Sequence, residues 1–106
     1  MLYIDLEKEN FHHTYGIYLG QTRIGDVTIN KEKTRYTIFS FTLYDEFRGK
    51  GYFPQLLQIL ENRAKEEGFK FMKLDWIEPS KVDSLKARGY IVCHVGDEIS
   101  MEKAIS

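Results

Sequence analysis

Cysteine and proline are scarce in this sequence, and neither sign of charge is in excess. The single thiol, Cys93, can form no disulfide within the chain and supplies no cysteine cluster for zinc. Fifteen basic and sixteen acidic side chains give a net charge of −1, so no overall field would attract nucleic acid. No apolar run approaches a membrane span, and the first residues lack the basic flank of a signal peptide. We therefore expect a cytoplasmic protein with no metal, nucleic-acid or membrane partner.

Repeats, low-complexity tracts and linkers are also missing. Hydrophobic residues make up 42% of the 106 residues and aromatic residues 14%, which is enough for a folded core. A chain of this length buries about 65% of its unfolded surface around one core. We expect one domain over residues 1–106.

Alternating apolar residues in the first half of the chain predict an antiparallel meander. We expect a short first strand at residues 2–6 and a hairpin formed by residues 15–19 and 24–29, turned at Gly20. Residues 35–43, which are dense in β-branched and aromatic side chains, predict the next strand.

Helical spacing replaces this alternation in the second half. Residues 53–67 predict an amphipathic helix, and residues 69–77 predict a strand parallel to the one before the helix, as in an ordinary crossover. A capping box with Ser80 as N-cap predicts a short helix, and residues 90–95 and 98–104 predict a closing strand pair. The expected fold is α/β, with a mixed sheet built from a meander, a β-α-β crossover and a closing pair.

A glycine-punctuated basic turn joins the strand at 35–43 to the helix. Its residues are Arg48, Gly49, Lys50 and Gly51. Backbone N–H groups converge in such a turn, and the helix N-terminus adds partial positive charge. An ordinary turn can also carry two glycines, but this position and the interleaved basic residues favour a phosphate or pyrophosphate site.

The segment 48–53 resembles the most specific motif of the GNAT superfamily of acetyl-CoA-dependent N-acetyltransferases. That motif is Arg/Gln-x-x-Gly-x-Gly/Ala, between the family's fourth strand and third helix, and here it reads RGKGYF. The segments LYDEF at 43–47, LDW at 74–76 and KARGY at 86–90 are similar to family segments and stand in the same order. The resemblance extends over residues 15–105.

This resemblance implies a cofactor site and a reaction. Acetyl-CoA, as acetyl donor, is expected at Leu43, Arg48, Gly49, Lys50, Gly51, Tyr52 and Phe53. The acetyl group would pass directly to an amine in a ternary complex, and a main-chain N–H near Leu43 would stabilise the oxyanion. The catalytic base stays open among Asp75, Glu78 and, through water, His94; for Asp75, a solvent-facing or ion-paired strand carboxylate is the favoured interpretation.

The sequence departs from the family pattern at three places. Phe53 replaces a small residue, and its ring either packs inward or fills the phosphate site. Leu85 stands where the family has a proton-donating tyrosine. The family's first two helices, one wall of the acceptor site, have no room between Leu6 and Tyr15. We therefore expect an amine on a protein or peptide, or a homodimer partner that completes the wall; the alternative is a non-catalytic GNAT-like protein-binding module.

Three further expectations concern burial. The aromatic residues without an accompanying basic stripe are expected in the core rather than on a base-stacking surface; they are Phe39, Phe41, Phe69, Phe71 and Trp76. Cys93 is expected to be a small packed residue. The helix face at residues 61–67 is expected to be solvated.

Overall fold

One mixed sheet contains all seven strands of the computed structural model, which describes residues 1–106. The strands are β1 Leu2–Glu9, β2 His13–Leu19, β3 Thr22–Lys31, β4 Arg35–Leu43, β5 Phe71–Leu74, β6 Ile91–Val95 and β7 Ile99–Ala104, and the helices are α1 Tyr52–Glu66 and α2 Val82–Ala87. The order across the sheet is β1-β2-β3-β4-β5-β7-β6. Only β4 and β5 are parallel neighbours. The predicted meander, crossover and closing pair are confirmed.

Local sequence signals position the central strand and helix as expected. β4 occupies the predicted residues 35–43, and α1 follows Gly51, which has a φ of 80° that a residue with a side chain rarely adopts. Gly68 lies just past the other end of α1 with a φ of 87°. Neither helix is long and apolar enough to cross a membrane.

Two predicted boundaries in the second half are wrong. β5 has only 4 residues rather than nine, because the chain leaves the sheet after Leu74 and Trp76 adopts a left-handed φ of 57°. Ser80 does not cap α2: it lies in a 3-10 turn at Pro79–Lys81, and no side chain caps the helix, which begins at Val82.

The core forms where α1 packs on the sheet. Leu56, Leu57, Leu60 and Ala64 of α1 are fully buried with apolar residues from both halves of the sheet. Each buried leucine contributes about 1.5–3 kcal/mol relative to exposure. Glu61 is also buried, at 1% exposure, so the predicted solvated face is wrong at this residue.

The burial predicted for the aromatic residues and for Cys93 is confirmed at some positions and wrong at others. Phe41 and Phe69 pack against the core, but Phe39 is 43% exposed and Trp76 is 61% exposed. The core prediction is therefore wrong for the last two, which lie at or beyond the end of the β4–β5 ladder. The packed role predicted for Cys93 is also wrong, because it lies in the edge strand β6, all of whose residues are exposed.

Candidate active site

A gap opens in the sheet where β4 and β5 separate. Their parallel ladder ends at Ile38 and Leu74, and the Asp75 N–H donates one more bond, to the Ile38 carbonyl at 3.0 Å. β4 then continues to Leu43 paired only with β3, while the Ile77 N–H donates to the Ile99 carbonyl of β7 at 3.0 Å. The edge of β4 that faced β5 therefore has no neighbouring strand at its carboxyl end.

A largely apolar cavity of about 360 Å³ occupies this gap, and we call it the inner cavity. Nine of its 13 lining residues are hydrophobic. They come from four places in the chain, exemplified by Phe41 on β4, Leu57 on α1, Ile77 on the segment after β5 and Leu85 on α2. The splitting of the sheet thus creates an apolar space that is walled by both helices.

A second cavity, of about 390 Å³, lies beside the glycine-rich turn, and we call it the loop cavity. Six of the seven residues predicted to bind the cofactor line it: Leu43, Arg48, Gly49, Gly51, Tyr52 and Phe53. Lys50 does not line this cavity, and its side chain is exposed. The two cavities share four lining residues, Phe41, Phe53, Glu78 and Lys81, so they adjoin each other.

The turn presents free backbone donors. The N–H groups of Gly49, Lys50 and Gly51 donate to no backbone carbonyl, and those of Tyr52 and Phe53 open α1, where no earlier turn can accept them. Gly49 and Gly51 have φ values of 71° and 80°, with open space where a Cβ would be. Backbone donors at the start of a helix with 15 residues form a site that suits an anion.

Arg48 ties this turn to the end of β4. Its Nε donates to the Leu43 carbonyl at 2.9 Å and lies 3.6 Å from the Asp45 carboxylate. The Tyr44 N–H donates to the Ile24 carbonyl of β3, so the preceding N–H, of Leu43, points to the opposite edge of β4. That edge has no strand opposite, which leaves the Leu43 N–H free for another acceptor.

The Phe53 ring forms the wall that the two cavities share. It meets the Phe41 ring edge-on, with centroids 5.0 Å apart, and the Lys81 Nζ lies 4.4 Å from its centre. The ring is partly buried against the core. It therefore packs against the core, as in the inward orientation considered from the sequence, but only partly, because one side of it lines the loop cavity.

Two of the three candidate bases, Asp75 and Glu78, line the inner cavity, and His94 does not. Asp75 Oδ1 accepts a hydrogen bond from Ser100 Oγ at 2.9 Å and lies 3.4 Å from Lys73 Nζ, which agrees with the ion-paired interpretation. Glu78 lines both cavities without an ion pair. His94 lies on the exposed strand β6 and lines neither cavity, so it is removed from the candidates.

Leu85 in α2 and Lys81 in the 3-10 turn before it determine what chemistry this segment offers. Leu85 is 1% exposed in the wall of the inner cavity and can donate no proton. Lys81, four residues earlier in the 3-10 turn, lines both cavities and was not singled out from the sequence. No local sequence pattern marks it, because its position depends on how this turn packs against Phe53.

The acetyltransferase (GNAT) family model matches residues 2–95. The chain belongs to the GNAT acetyltransferase family. GNAT proteins are acyltransferases, and the match spans the meander, the turn and both helices of this chain. No curated protein sequence matches it.

Solved structures share the fold. The PaiA N-acetyltransferase from Thermoplasma acidophilum in complex with coenzyme A has a TM-score of 0.71 and 21% identity, over 86% of this chain and 59% of that one. An acetyltransferase from Bacillus subtilis in complex with CoA has a TM-score of 0.78 and 12% identity, over 98% and 99%. The ribosomal-protein-S18-alanine N-acetyltransferase from Escherichia coli has a TM-score of 0.78 and 12% identity, over 93% and 72%. At these identities the likeness establishes the architecture, and our chain spans only 59% of the Thermoplasma protein.

Proposed function

We propose that this GNAT protein transfers an acetyl group from acetyl-CoA to an amine. One observation carries the proposal: a turn of free backbone N–H groups opens into the loop cavity, which adjoins the apolar inner cavity. An anion site that leads into an apolar channel fits a pyrophosphate followed by a long, mostly uncharged arm. Coenzyme A has this construction, and two of the structural neighbours are complexes with it.

Each predicted site residue has a distinct task in this proposal. The backbone N–H groups of the turn, from Gly49 to Phe53, hold the pyrophosphate, and Lys50 adds an exposed positive charge nearby. The Leu43 N–H, free at the open edge of β4, donates to the oxyanion that develops on the acetyl carbonyl. Arg48 positions both elements, because its Nε bonds the Leu43 carbonyl.

The amine must be neutral before it attacks the acetyl carbon directly. With a pKa of about 10.4, only about one amine in a few thousand is neutral at pH 7. Asp75 and Glu78 are the two carboxylates in the wall of the inner cavity. We assign proton acceptance, through water, to Glu78, because Asp75 is already held by Ser100 and Lys73.

The acceptor amine in this proposal belongs to a protein or peptide. β1 and β2 are joined directly by residues 10–12, and no helix lies between them to enclose the mouth of the inner cavity. Phe39 and Trp76, both exposed, line that cavity on opposite sides of the gap. An open mouth with aromatic edges suits an amine on a protein or peptide better than a small-molecule amine. The Escherichia coli neighbour is named for an alanine of a ribosomal protein.

Calorimetry and thermal unfolding with acetyl-CoA test the donor assignment. We expect micromolar affinity and a rise in melting temperature, since ligand at about 100 times its dissociation constant adds about 2.7 kcal/mol to the unfolding free energy. Mass spectrometry of peptide libraries after incubation would then identify the acetylated amine. No heat and no stabilisation at millimolar acetyl-CoA would remove the assignment and favour the non-catalytic protein-binding module.

A further inference from the structure

A third cavity, of about 260 Å³, adjoins the inner cavity, and we call it the acidic cavity. It lies between the segment that follows β5 and the β6–β7 turn, and it shares Trp76, Ile77 and Glu78 with the inner cavity. Three of its eight lining residues carry carboxylates, namely Glu78, Asp97 and Glu98, and none is a cation. The net charge of the chain is only −1, so this excess of negative charge is local to the cavity.

The carboxylates of the acidic cavity have no partner within the protein. None of the three belongs to an ion pair. Oε2 of Glu98 is buried and accepts no hydrogen bond. Lys81, which lines the other two cavities together with Glu78, does not line this one. A buried carboxylate oxygen without a donor is costly, so it marks a place where a ligand can supply the donor.

Trp76 presents an aromatic surface to the same cavity, and it is 61% exposed. The Asp75 N–H donates to the Ile38 carbonyl at 3.0 Å. The Ile77 N–H donates to the Ile99 carbonyl at 3.0 Å, so the backbone is fixed on both sides of the indole. A fixed, exposed indole beside unpaired carboxylates attracts a cation through the face of its ring as well as through their charge.

The arrangement of the carboxylates favours an organic cation over a metal ion. The protein contains no group of three acidic, histidine or cysteine side chains that could hold a metal ion. A guanidinium or an ammonium on a flexible side chain needs no such convergence, because its several N–H groups can reach carboxylates that lie apart. A guanidinium also stacks on an aromatic face, which suits Trp76.

We propose that the acidic cavity binds a positively charged side chain of the acceptor, arginine or lysine, beside the amine that is acetylated. The inference rests on the proposed function and narrows its acceptor to a basic segment of a protein or peptide. Trp76 lines both the mouth of the inner cavity and the acidic cavity, so one acceptor chain can occupy both. Asp97 and Glu98 line the acidic cavity alone. They therefore hold a charge that persists, whereas the reacting amine must become neutral.

Fluorescence of Trp76 tests the site directly, because it is the only tryptophan in the chain. The probe is the peptide acetyl-Ala-Arg-Arg-amide, whose capped N-terminus removes the reacting amine. Its counterpart carries citrulline, an uncharged side chain of similar shape, in place of both arginines. We expect the arginine peptide to change the emission with a dissociation constant about tenfold lower than that of the citrulline peptide. Raising the ionic strength from about 0.05 M to about 0.5 M should weaken this preference.

Two variants assign the preference to the acidic cavity. Glu98→Gln keeps the shape of the side chain and removes its charge, so it should reduce the preference for arginine to within about threefold. Asp83→Asn is the matched control, because Asp83 is exposed on α2 and lines none of the cavities. It should keep the full preference. Glu98→Gln should also leave the midpoint of urea unfolding unchanged or higher, because the carboxylate has no partner to lose; a lower midpoint would assign Glu98 a structural role and overturn the inference.

The outcomes separate the proposed function from this inference. Failure of the native protein to bind acetyl-CoA in calorimetry would overturn the proposed function, and the acceptor site with it. Binding of acetyl-CoA without any preference for the arginine peptide, or with a preference that Glu98→Gln leaves unchanged, overturns the role of the acidic cavity alone. In the peptide libraries, arginine or lysine should be enriched next to the acetylated amine, and Glu98→Gln should lower this enrichment. Flanking residues without such a bias would contradict the assignment.

Discussion

Glu61 on α1 accepts a hydrogen bond from the Tyr90 hydroxyl at 2.9 Å. Its other carboxylate oxygen accepts from Lys103 Nζ on β7 at 2.8 Å. The carboxylate is 1% exposed, so both partners are needed to satisfy a charge that has left water. These bonds link α1, whose N-terminus forms part of the proposed anion site, to β7 and to the residue that precedes β6.

We therefore predict that Glu61→Ala lowers the unfolding free energy by about 1–3 kcal/mol, because the buried Tyr90 hydroxyl loses its acceptor. The partly exposed Lys103 can turn to water, which keeps the loss below that of a fully buried ion pair. Urea denaturation measures the change. Glu66→Ala, at an exposed position on the same helix, should change stability by less than about 0.5 kcal/mol; similar losses in the two variants would contradict this account.

We predict that the protein loses stability at alkaline pH, because the hydroxyls of Tyr36 and Tyr90 are buried. Burial, joined by nearby negative charge, raises the pKa of both hydroxyls far above the ordinary value of about 10. Below pH 10 neither the folded nor the unfolded chain loses these protons, so the two hydroxyls leave the unfolding free energy independent of pH. Above it the unfolded chain ionises first, and the unfolding free energy falls by about 1.4 kcal/mol per pH unit for each tyrosine.

The two tyrosines differ in their partners, and this difference separates them experimentally. The Tyr36 hydroxyl is buried without a hydrogen bond, whereas that of Tyr90 bonds Glu61. Tyr36→Phe should leave stability at pH 7 unchanged or higher, and Tyr90→Phe should lower it by about 1–3 kcal/mol. Both should flatten the decline above pH 10 in urea denaturation. A decline of native steepness in both variants would show that other groups cause it.

Sequence periodicity predicted those elements in which local and tertiary preferences agree. β4 is one example, since its β-branched and aromatic residues suit a central strand. The burial of Glu61 was not predicted, because its charge was taken to place it in solvent. Its position on the helix indicates the opposite: it follows Leu57 by four residues and precedes Ala64 by three, which places it on the buried stripe of α1. Trp76 was assigned to the core because no basic stripe accompanies it, but it lies beyond the end of β5 with a left-handed backbone and is exposed.

The site was predictable to the extent that it is made of backbone. A turn of free N–H groups needs glycines in left-handed conformations before a helix, and Gly49 and Gly51 signal this directly. The splitting of β4 from β5 depends on where pairing stops, and the position of Lys81 in the walls of both cavities depends on how the segment after β5 packs. Both are tertiary properties that no local pattern encodes.

Gly51→Asp should abolish acetyl-CoA binding while the protein stays folded. The carboxylate would lie among the N–H groups that we propose hold the pyrophosphate, and the left-handed backbone costs an Asp residue about 1–2 kcal/mol. Gly68→Asp is the control, since Gly68 has a similar φ and open surroundings at the other end of α1. It should lose comparable stability and keep full affinity in calorimetry. If Gly51→Asp bound as well as the native protein, the phosphates would have to lie elsewhere.

Phe53→Ala tests whether the shared wall supports the donor site or obstructs it. Because the ring is only partly buried, the variant should lose about 1–3 kcal/mol of stability, below the 3–5 kcal/mol typical of a fully buried phenylalanine. The Phe53 N–H remains, so affinity for acetyl-CoA should stay within about threefold, a difference of about 0.7 kcal/mol. Ile59→Ala, a partly buried position of α1 that lines neither cavity, controls for general loosening of the helix. Markedly tighter binding by Phe53→Ala alone would mean that the ring obstructs the path between the cavities. The protein would then be a GNAT scaffold that has lost its cofactor.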